Sequence, residues 1–324
     1  MKTMYVMIAG LFLLGMSFFS VSAQSLAEKL GYKATDRLLI INNDDAGMCH
    51  ASNMATIEGM EQGIISSATI MVPCPWYSEI AEYARNHPEK GFGIHLTLTS
   101  EWKYYRWKPL LSKEQVPGLY APDGYMWRSV AEVYKASSPA EALLEGRAQI
   151  QRALDDGINV THIDSHMGTY QLDIAYQKIY MQLAQEFHLS LLVPAQEVFE
   201  AAGFPGLRAE FTERGFVFPD YWVRPADLAS FDNYRGQVKE LWMETLSQLP
   251  AGITEINLHA TVDSDESRTI LPFPDGRIRD YEVFTHDKDM RKLMEDKGII
   301  IINFQLLRDL QRKNANGKMP NHGL

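Results

Sequence analysis

The residues best suited to chemistry in this 324-residue chain are two adjacent carboxylates, Asp44 and Asp45, where an apolar run gives out. Leu38-Leu39-Ile40-Ile41 reads as a buried parallel strand leading into Asn42-Asn43-Asp44-Asp45-Ala46-Gly47. Adjacent like charges repel and resist desolvation, so such a pair persists at a strand end when a metal, a reacting group or open water takes up its charge. Polar clusters close three later apolar runs. His95 lies in Gly93-Ile94-His95-Leu96-Thr97, His162 and His166 in Thr161-His162-Ile163-Asp164-Ser165-His166, and His259 ends Glu255-Ile256-Asn257-Leu258-His259. One carboxylate with two neutral imidazoles is a common catalytic set for a divalent cation, leaving positions open for water and substrate. His50, His87, His188 and His286 lack this setting and read as structural.

The spacing of His162 and His166 places both rings on one side of an extended strand. His166, at the exit of the run beside Ser165, is the better ligand. His162 either supports another side chain through a hydrogen bond or packs in the interior. Asp164, between them, is expected to orient an imidazole or to hold a loop amide.

Bringing these groups together is the task of the fold. Strand-like runs recur at 37–43, 67–72, 92–98, 160–165, 189–193, 254–259 and 299–303, and amphipathic helical spacing fills 53–62, 77–86, 140–156, 174–187, 235–249 and 288–297. This alternation predicts a parallel α/β sheet, and seven strands in one domain favour a distorted, TIM-barrel-like (β/α) barrel over an open doubly wound sheet. In such a barrel the C-terminal strand ends share one face, so Asp44, Asp45, His95, His166 and His259 would meet there. GxGxxG and GxxxxGK sequences are absent, which removes the dinucleotide and phosphate-loop readings. Two long stretches, 101–139 and 196–228, interrupt the rhythm. The aromatics of the first (Trp102, Tyr104, Tyr105, Trp107, Tyr120, Tyr125, Trp127) argue for order and serve either as flat walls for a sugar ring or as a local core.

Residues 1–23 have the pattern of a signal peptide: Lys2, an apolar stretch from Met4 to Phe19, then Val21-Ser22-Ala23. Cleavage after Ala23 would leave 24–324 as a single exported domain, periplasmic or secreted; the alternative, a retained anchor, has an apolar stretch shorter than the ~20 residues a spanning helix needs. The formal charge of −10 becomes −11 when Lys2 leaves. That acidity argues against nucleic acid or an anionic membrane surface as partner. Only Cys49 and Cys74 are present, too few for a disulfide scaffold, and they are expected to stay unbridged.

Ile41-Asn42-Asn43-Asp44-Asp45-Ala46-Gly47, Gly63-Ile64-Ile65-Ser66-Ser67-Ala68-Thr69, Gly93-Ile94-His95-Leu96-Thr97-Leu98-Thr99 and His162-Ile163-Asp164-Ser165-His166, in this order, resemble the YdjC-like carbohydrate deacetylases, which include chitooligosaccharide deacetylases. The resemblance covers most of the mature chain and fades in the two long stretches. It implies a distorted barrel, a divalent metal (magnesium or zinc) held by Asp45, His95 and His166, Asp44 as base, and His259 as acid by analogy with other metal-dependent sugar deacetylases. The chain departs from the pattern at Ala46, where Phe is common, at Met167-Gly168, where a histidine-rich continuation is usual, and at Ala260, where Pro is usual. These positions bear on the pocket wall, so they touch substrate choice more than hydrolysis. The resulting expectation is removal of N-acetyl groups from an acetylated mono- or oligosaccharide. Competing readings are another metal-dependent hydrolase on the same barrel, such as a phosphoesterase, or a non-catalytic glycan-binding protein. A phosphoesterase calls for clustered cations, and the strand ends supply none beside Asp45, His95 or His259; Arg268, Arg277 and Arg279, in the loop after His259, either reach inward or, the favoured reading, belong to a solvated loop.

Overall fold

The computed structural model describes residues 24–201, 203–223 and 237–316, so the expected leader and residues 224–228 of the second long stretch lie outside the described residues. Among the described residues eight strands carry the fold: β1 Arg37–Ala46, β2 Ser67–Ile70, β3 Gly91–Leu96, β4 His162–Ser165, β5 Ser190–Leu191, β6 Tyr221–Trp222, β7 Gly252–Leu258 and β8 Ile299–Ile301. Their order is β5-β4-β3-β2-β1-β7-β6, with every paired neighbour parallel. One edge of β1 is occupied by β7 from Arg37 to Asn43, so β8, opposite Arg37 to Leu39, lies on the other edge, which β2 takes over from Asn42. The sheet curls into a half-barrel flanked by helices, which is the distorted (β/α) barrel the alternation predicts.

Strand alternation sorts the side chains into two environments. Leu39, Ile41, Ala68, Ile70, Phe92, Ile94, Leu96, Ile163, Leu191, Ile256 and Leu258 belong to the large core beneath the outer helices. Leu38, Ile40 and Ile253 join Phe304, Leu307 and Ile302 in a smaller cluster that fills the bottom of the barrel. Above that plug the same inward positions turn polar: Asn42, Asp44, Thr69, His95, His162, Asp164 and Glu255 are all buried. A polar layer on top of an apolar floor directs the chemistry to the C-terminal strand ends.

The helices at 77–86 and 288–297 lie where the apolar spacing puts them, as Tyr77–Asn86 and Lys288–Lys297. The second long stretch is less of a loop than expected: it holds helices Gln196–Ala201 and Leu207–Glu213 and the two-residue β6. Helices Pro274–Thr285 and Phe304–Asn316 were also invisible to the spacing argument. In the first long stretch the aromatics mostly build a local core. Trp102 and Trp107 pack with Met48, Cys49, Met71, Cys74 and Met126, and Tyr105 donates to the Met48 carbonyl at 2.6 Å. Both cysteines are buried free thiols. No helix among the described residues is long and apolar enough to cross a membrane.

Candidate metal and catalytic site

In a regular strand Asp44 and Asp45 would face opposite sides of the sheet. The register between β1 and β2 slips between Asn43 and Ala46, three residues on β1 spanning two on β2, and Asp45 takes a left-handed φ of 64°. This bulge lets consecutive carboxylates line one cavity. Asp tolerates that conformation better than most residues, because its short side chain can bond locally. Gly47, at φ 86°, completes the turn; a Cβ there would press at 3.3 Å on the Met71 carbonyl.

Around Asp45 the structure assembles the three residues named as ligands. His95 Nε2 and His166 Nδ1 each lie 3.4 Å from Asp45 Oδ1, and the three atoms are mutually within 4.8 Å. The far nitrogen of each imidazole is held by a carboxylate: His95 Nδ1 lies 2.6 Å from Asp164 Oδ1, and His166 Nε2 lies 3.1 Å from Glu101 Oε2. Metal-ligating histidines are characteristically anchored in this way, because the anchoring fixes the tautomer and turns a lone pair toward the ion. Asp45 Oδ1 is buried and accepts no hydrogen bond among the described residues, the state expected of an atom reserved for a cation. By donor chemistry and geometry these residues fit a divalent metal. Asp44, His95 and Asp164 also lie close enough to form a ligand group. There, however, His95 Nδ1 faces Asp164 as a hydrogen-bond partner and Asp44 Oδ1 already accepts from three donors, so that group is a bonded network.

Asp44 is held differently from its neighbour. Its Oδ1 accepts from Asn42 Nδ2 at 2.7 Å, Asn257 Nδ2 at 3.0 Å and Thr69 Oγ1 at 3.1 Å, while Oδ2 lies 3.9 Å from His259 Nε2. Burial, reinforced by Asp164, pushes the Asp44 carboxyl well above the usual range. Burial also opposes ionisation of Asp45, but the Arg277 guanidinium, with His166 and His259, outweighs it and holds that carboxyl well below the usual range. Burial, reinforced by the Asp45 charge, raises Asp164 to about 7, and burial, reinforced by His166, lowers His95. His166 would be lowered by burial too, yet Glu101 and Asp45 carry it up to about 10. Two adjacent carboxylates thus have separated proton affinities, the pattern that assigns different roles to paired acids.

Several positions differ from the sequence reading. Arg277 takes the less favoured of its two readings and reaches inward: its Nη1 lies 2.6 Å from Asp45 Oδ2, carried there by the helix Pro274–Thr285. Arg268 and Arg279 behave as expected, paired with Asp263 and Glu282 at the surface. Glu101, Thr69 and Asn257 were missed. Each left a trace in the sequence: Thr69 closes a motif of the resemblance, Asn257 lies in the run that ends at His259, and Glu101 is a carboxylate six residues beyond His95. Asp164 does orient an imidazole, that of His95. His162 stays out of the ligand set: its ring stacks on Phe304 at 3.7 Å and its Nε2 bonds Asn42 Oδ1 at 3.2 Å.

A family model described as "YdjC-like protein" matches residues 38–296. The chain belongs to that family. A carbohydrate deacetylase of Thermoanaerobacter pseudethanolicus is 27% identical over 278 residues, spanning 84% of this chain and 100% of its own length. A second, from Enterococcus faecalis, is 28% identical over 287 residues, with 84% and 99% covered. A crystal structure from Enterococcus faecalis, of a protein provisionally named for cellobiose-phosphate cleavage, superposes on this YdjC-like chain with a TM-score of 0.68. The two are 25% identical, over 83% of this chain and 98% of that one.

Proposed function

We propose that this protein is a metal-dependent hydrolase that removes N-acetyl groups from an acetylated mono- or oligosaccharide. Support comes from relatives named carbohydrate deacetylases that align over their whole length. The observation that carries the mechanism is the contrast between Asp45, whose Oδ1 faces two anchored imidazoles, and Asp44, whose Oδ2 faces His259.

In this reading Asp45, His95 and His166 hold the ion. A bound divalent cation polarises an amide carbonyl and acidifies water, lowering its pKa from 15.7 toward about 7. Asp44 takes the proton from the attacking water; its three donors on Oδ1 fix the carboxylate so that Oδ2 presents the basic lone pairs. His259, within 3.9 Å of that oxygen, hands a proton to the departing nitrogen, which leaves as the amine while the acetyl carbon keeps the water oxygen as acetate. Arg277 keeps Asp45 ionised. Two imidazoles suit zinc or a similar transition ion, and the carboxylates around them suit magnesium. The acetylated sugar is the only partner this reading needs; no nucleic acid contact or stable membrane insertion enters it. An exported location, periplasmic or secreted, rests on residues 1–23 and is tested by whether the mature protein begins after Ala23.

The phosphoesterase reading weakens because Arg277, the cation that lines the site among the described residues, is committed to Asp45. A glycan-binding protein would need no carboxylate such as Asp44 beside the ligand set. The deciding assay is acetate release from N-acetylglucosamine and its β-1,4 disaccharide, with and without chelator, for wild type and Asp44→Asn. Activity abolished by chelation, restored by metal, and lowered about 10²- to 10⁴-fold by Asp44→Asn with metal still bound is the expected result. A chelator-resistant rate would sink the metal mechanism.

A further inference from the structure

The cavity above the carboxylates has a volume of about 630 Å³, room for a drug-sized ligand and far more than an acetyl group requires. One wall is the charged cluster around Asp45. Much of the remaining lining is apolar, and five of its side chains, Met167, Leu172, Val198, Phe204 and Phe273, are substantially exposed; Leu172 is 70% exposed. Exposed apolar groups scattered singly need no explanation, but a set lining one cavity marks a binding surface. Met167 directly follows the ligand candidate His166 and sits at a left-handed φ of 54°, a conformation uncommon for an unbranched apolar residue and found where surrounding structure enforces it.

The polar residues on that wall are largely occupied. Gln171 donates to the Leu192 carbonyl at 3.2 Å, Asp173 caps the helix Ile174–Glu186, and Asp275 pairs with Arg268. Gln177 is the exception: its Nε2 is buried and has no hydrogen-bond partner among the described residues. One available amide suits a single sugar ring. A further polar ring would need hydroxyl partners along the wall, and the aliphatic Leu172, Val198 and Met167 offer none; Phe204 and Phe273 add apolar faces without a polar group.

We infer that the substrate is an amphipathic sugar amide, an N-acylated amino sugar that carries an apolar chain lying along Met167, Leu172, Val198, Phe204 and Phe273. This inference rests on the deacetylase reading above and deepens it. The chain is carried either on the anomeric oxygen, as an alkyl aglycone, or on the amide, as a longer acyl group; both place the same chemistry against the wall.

Binding and turnover are measured separately, so each reading can fail without the other. By calorimetry on the metal-loaded protein, hexyl N-acetyl-β-glucosaminide and N-hexanoylglucosamine, both below their micelle concentrations, are compared with methyl N-acetyl-β-glucosaminide. At least one hexyl-chain ligand is expected to bind at least about tenfold more tightly than the methyl glycoside, a gain that burial of about two methylenes supplies. Which ligand gains identifies where the chain sits. In the same protein kcat/KM for acetate or hexanoate release should favour that ligand by a similar factor. Leu172→Ser and Phe204→Ser, both at exposed positions, should bring the ratio of affinities toward one. Equal affinity for all three ligands overturns the apolar-chain inference even when acetate is released. Tighter binding of a hexyl ligand with no release of either acid sustains it and overturns the hydrolase reading.

Discussion

Replacing Asp164 by Asn tests whether His95 is a ligand held ready by its carboxylate. The Asp164–His95 contact is 2.6 Å long, and the two side chains are 3% and 4% exposed, so solvent does little to screen it. Thr69 pins the other Asp164 oxygen at 2.9 Å, so an amide of the same shape should keep its place. A hydrogen bond to a charged group contributes about 1.5–3 kcal/mol and a neutral one about 0.5–1.5 kcal/mol. The Asn variant should therefore lose about 1–1.5 kcal/mol of support for the ligand tautomer, roughly tenfold in metal affinity. Asp164→Ala also strands the buried Nδ1, a loss of about 2–3 kcal/mol or roughly 30- to 150-fold, at and just above the upper end of the roughly 10- to 100-fold loss typical when such supporting carboxylates are removed. Glu101 stands 3.1 Å from His166 and is 20% exposed, so Glu101→Gln should cost less, about three- to fivefold. Calorimetric titration of chelator-stripped protein with zinc, and separately with magnesium, reads the order wild type, Glu101→Gln, Asp164→Asn, Asp164→Ala from tightest to weakest. Metal binding by Asp164→Asn within twofold of wild type, or a greater loss in Glu101→Gln than in Asp164→Ala, refutes the reasoning.

Other perturbations probe the charges beneath and beside the site. Arg277→Gln removes the guanidinium 2.6 Å from Asp45, leaving a buried carboxylate uncompensated; the chelated variant should lose about 2–3 kcal/mol in denaturant melts, with much of the gap closing when metal is added. Glu255 is fully buried with no hydrogen-bond partner on either carboxylate oxygen among the described residues, and burial, with Asp164 and Asp44 nearby, raises its pKa well above the usual carboxylate range. A raised folded-state pKa favours the fold at pH below the unfolded value and withdraws that support as pH climbs through the folded one. Glu255→Gln should therefore gain thermal stability over wild type by a margin that widens from pH 5 to pH 9, and a margin constant with pH would contradict this. Gly93→Ala should destabilise by about 3 kcal/mol, since its Cβ would stand 2.5 Å from His162 Nδ1 and 2.7 Å from the His162 carbonyl; a melting temperature equal to wild type would show that β3 and β4 can part.

How much of this was legible in the sequence follows from the range of each interaction. Strand β1 announced itself because four consecutive apolar residues precede the acids, and the ligand candidates announced themselves by closing similar runs. The parallel arrangement then did the long-range work, since every inward position at a strand end opens on the same cavity. What stayed hidden depends on contacts without local pattern. Neither the bulge that turns Asp45 beside Asp44 nor the helix that delivers Arg277 across 232 positions has a periodicity of its own. Strand β6, two residues long, is too short for alternation to show, and its neighbouring helices are only six and seven residues each. The aromatics of the first long stretch suited a sugar wall by type, but Met48, Met71 and Met126 gave them an apolar surface to cover.

Phe304 has a bearing on how the molecule matures. It stacks on His162, whose Nε2 meets Asn42, whose amide in turn steadies Asp44. Some 260 residues separate the two ends of that relay, so Asp44, the proposed base, waits for a segment translated long after its own strand. A nascent chain halted before residue 304 would leave that strand without its floor and Asp44 unseated, so partially synthesised chains would be inert.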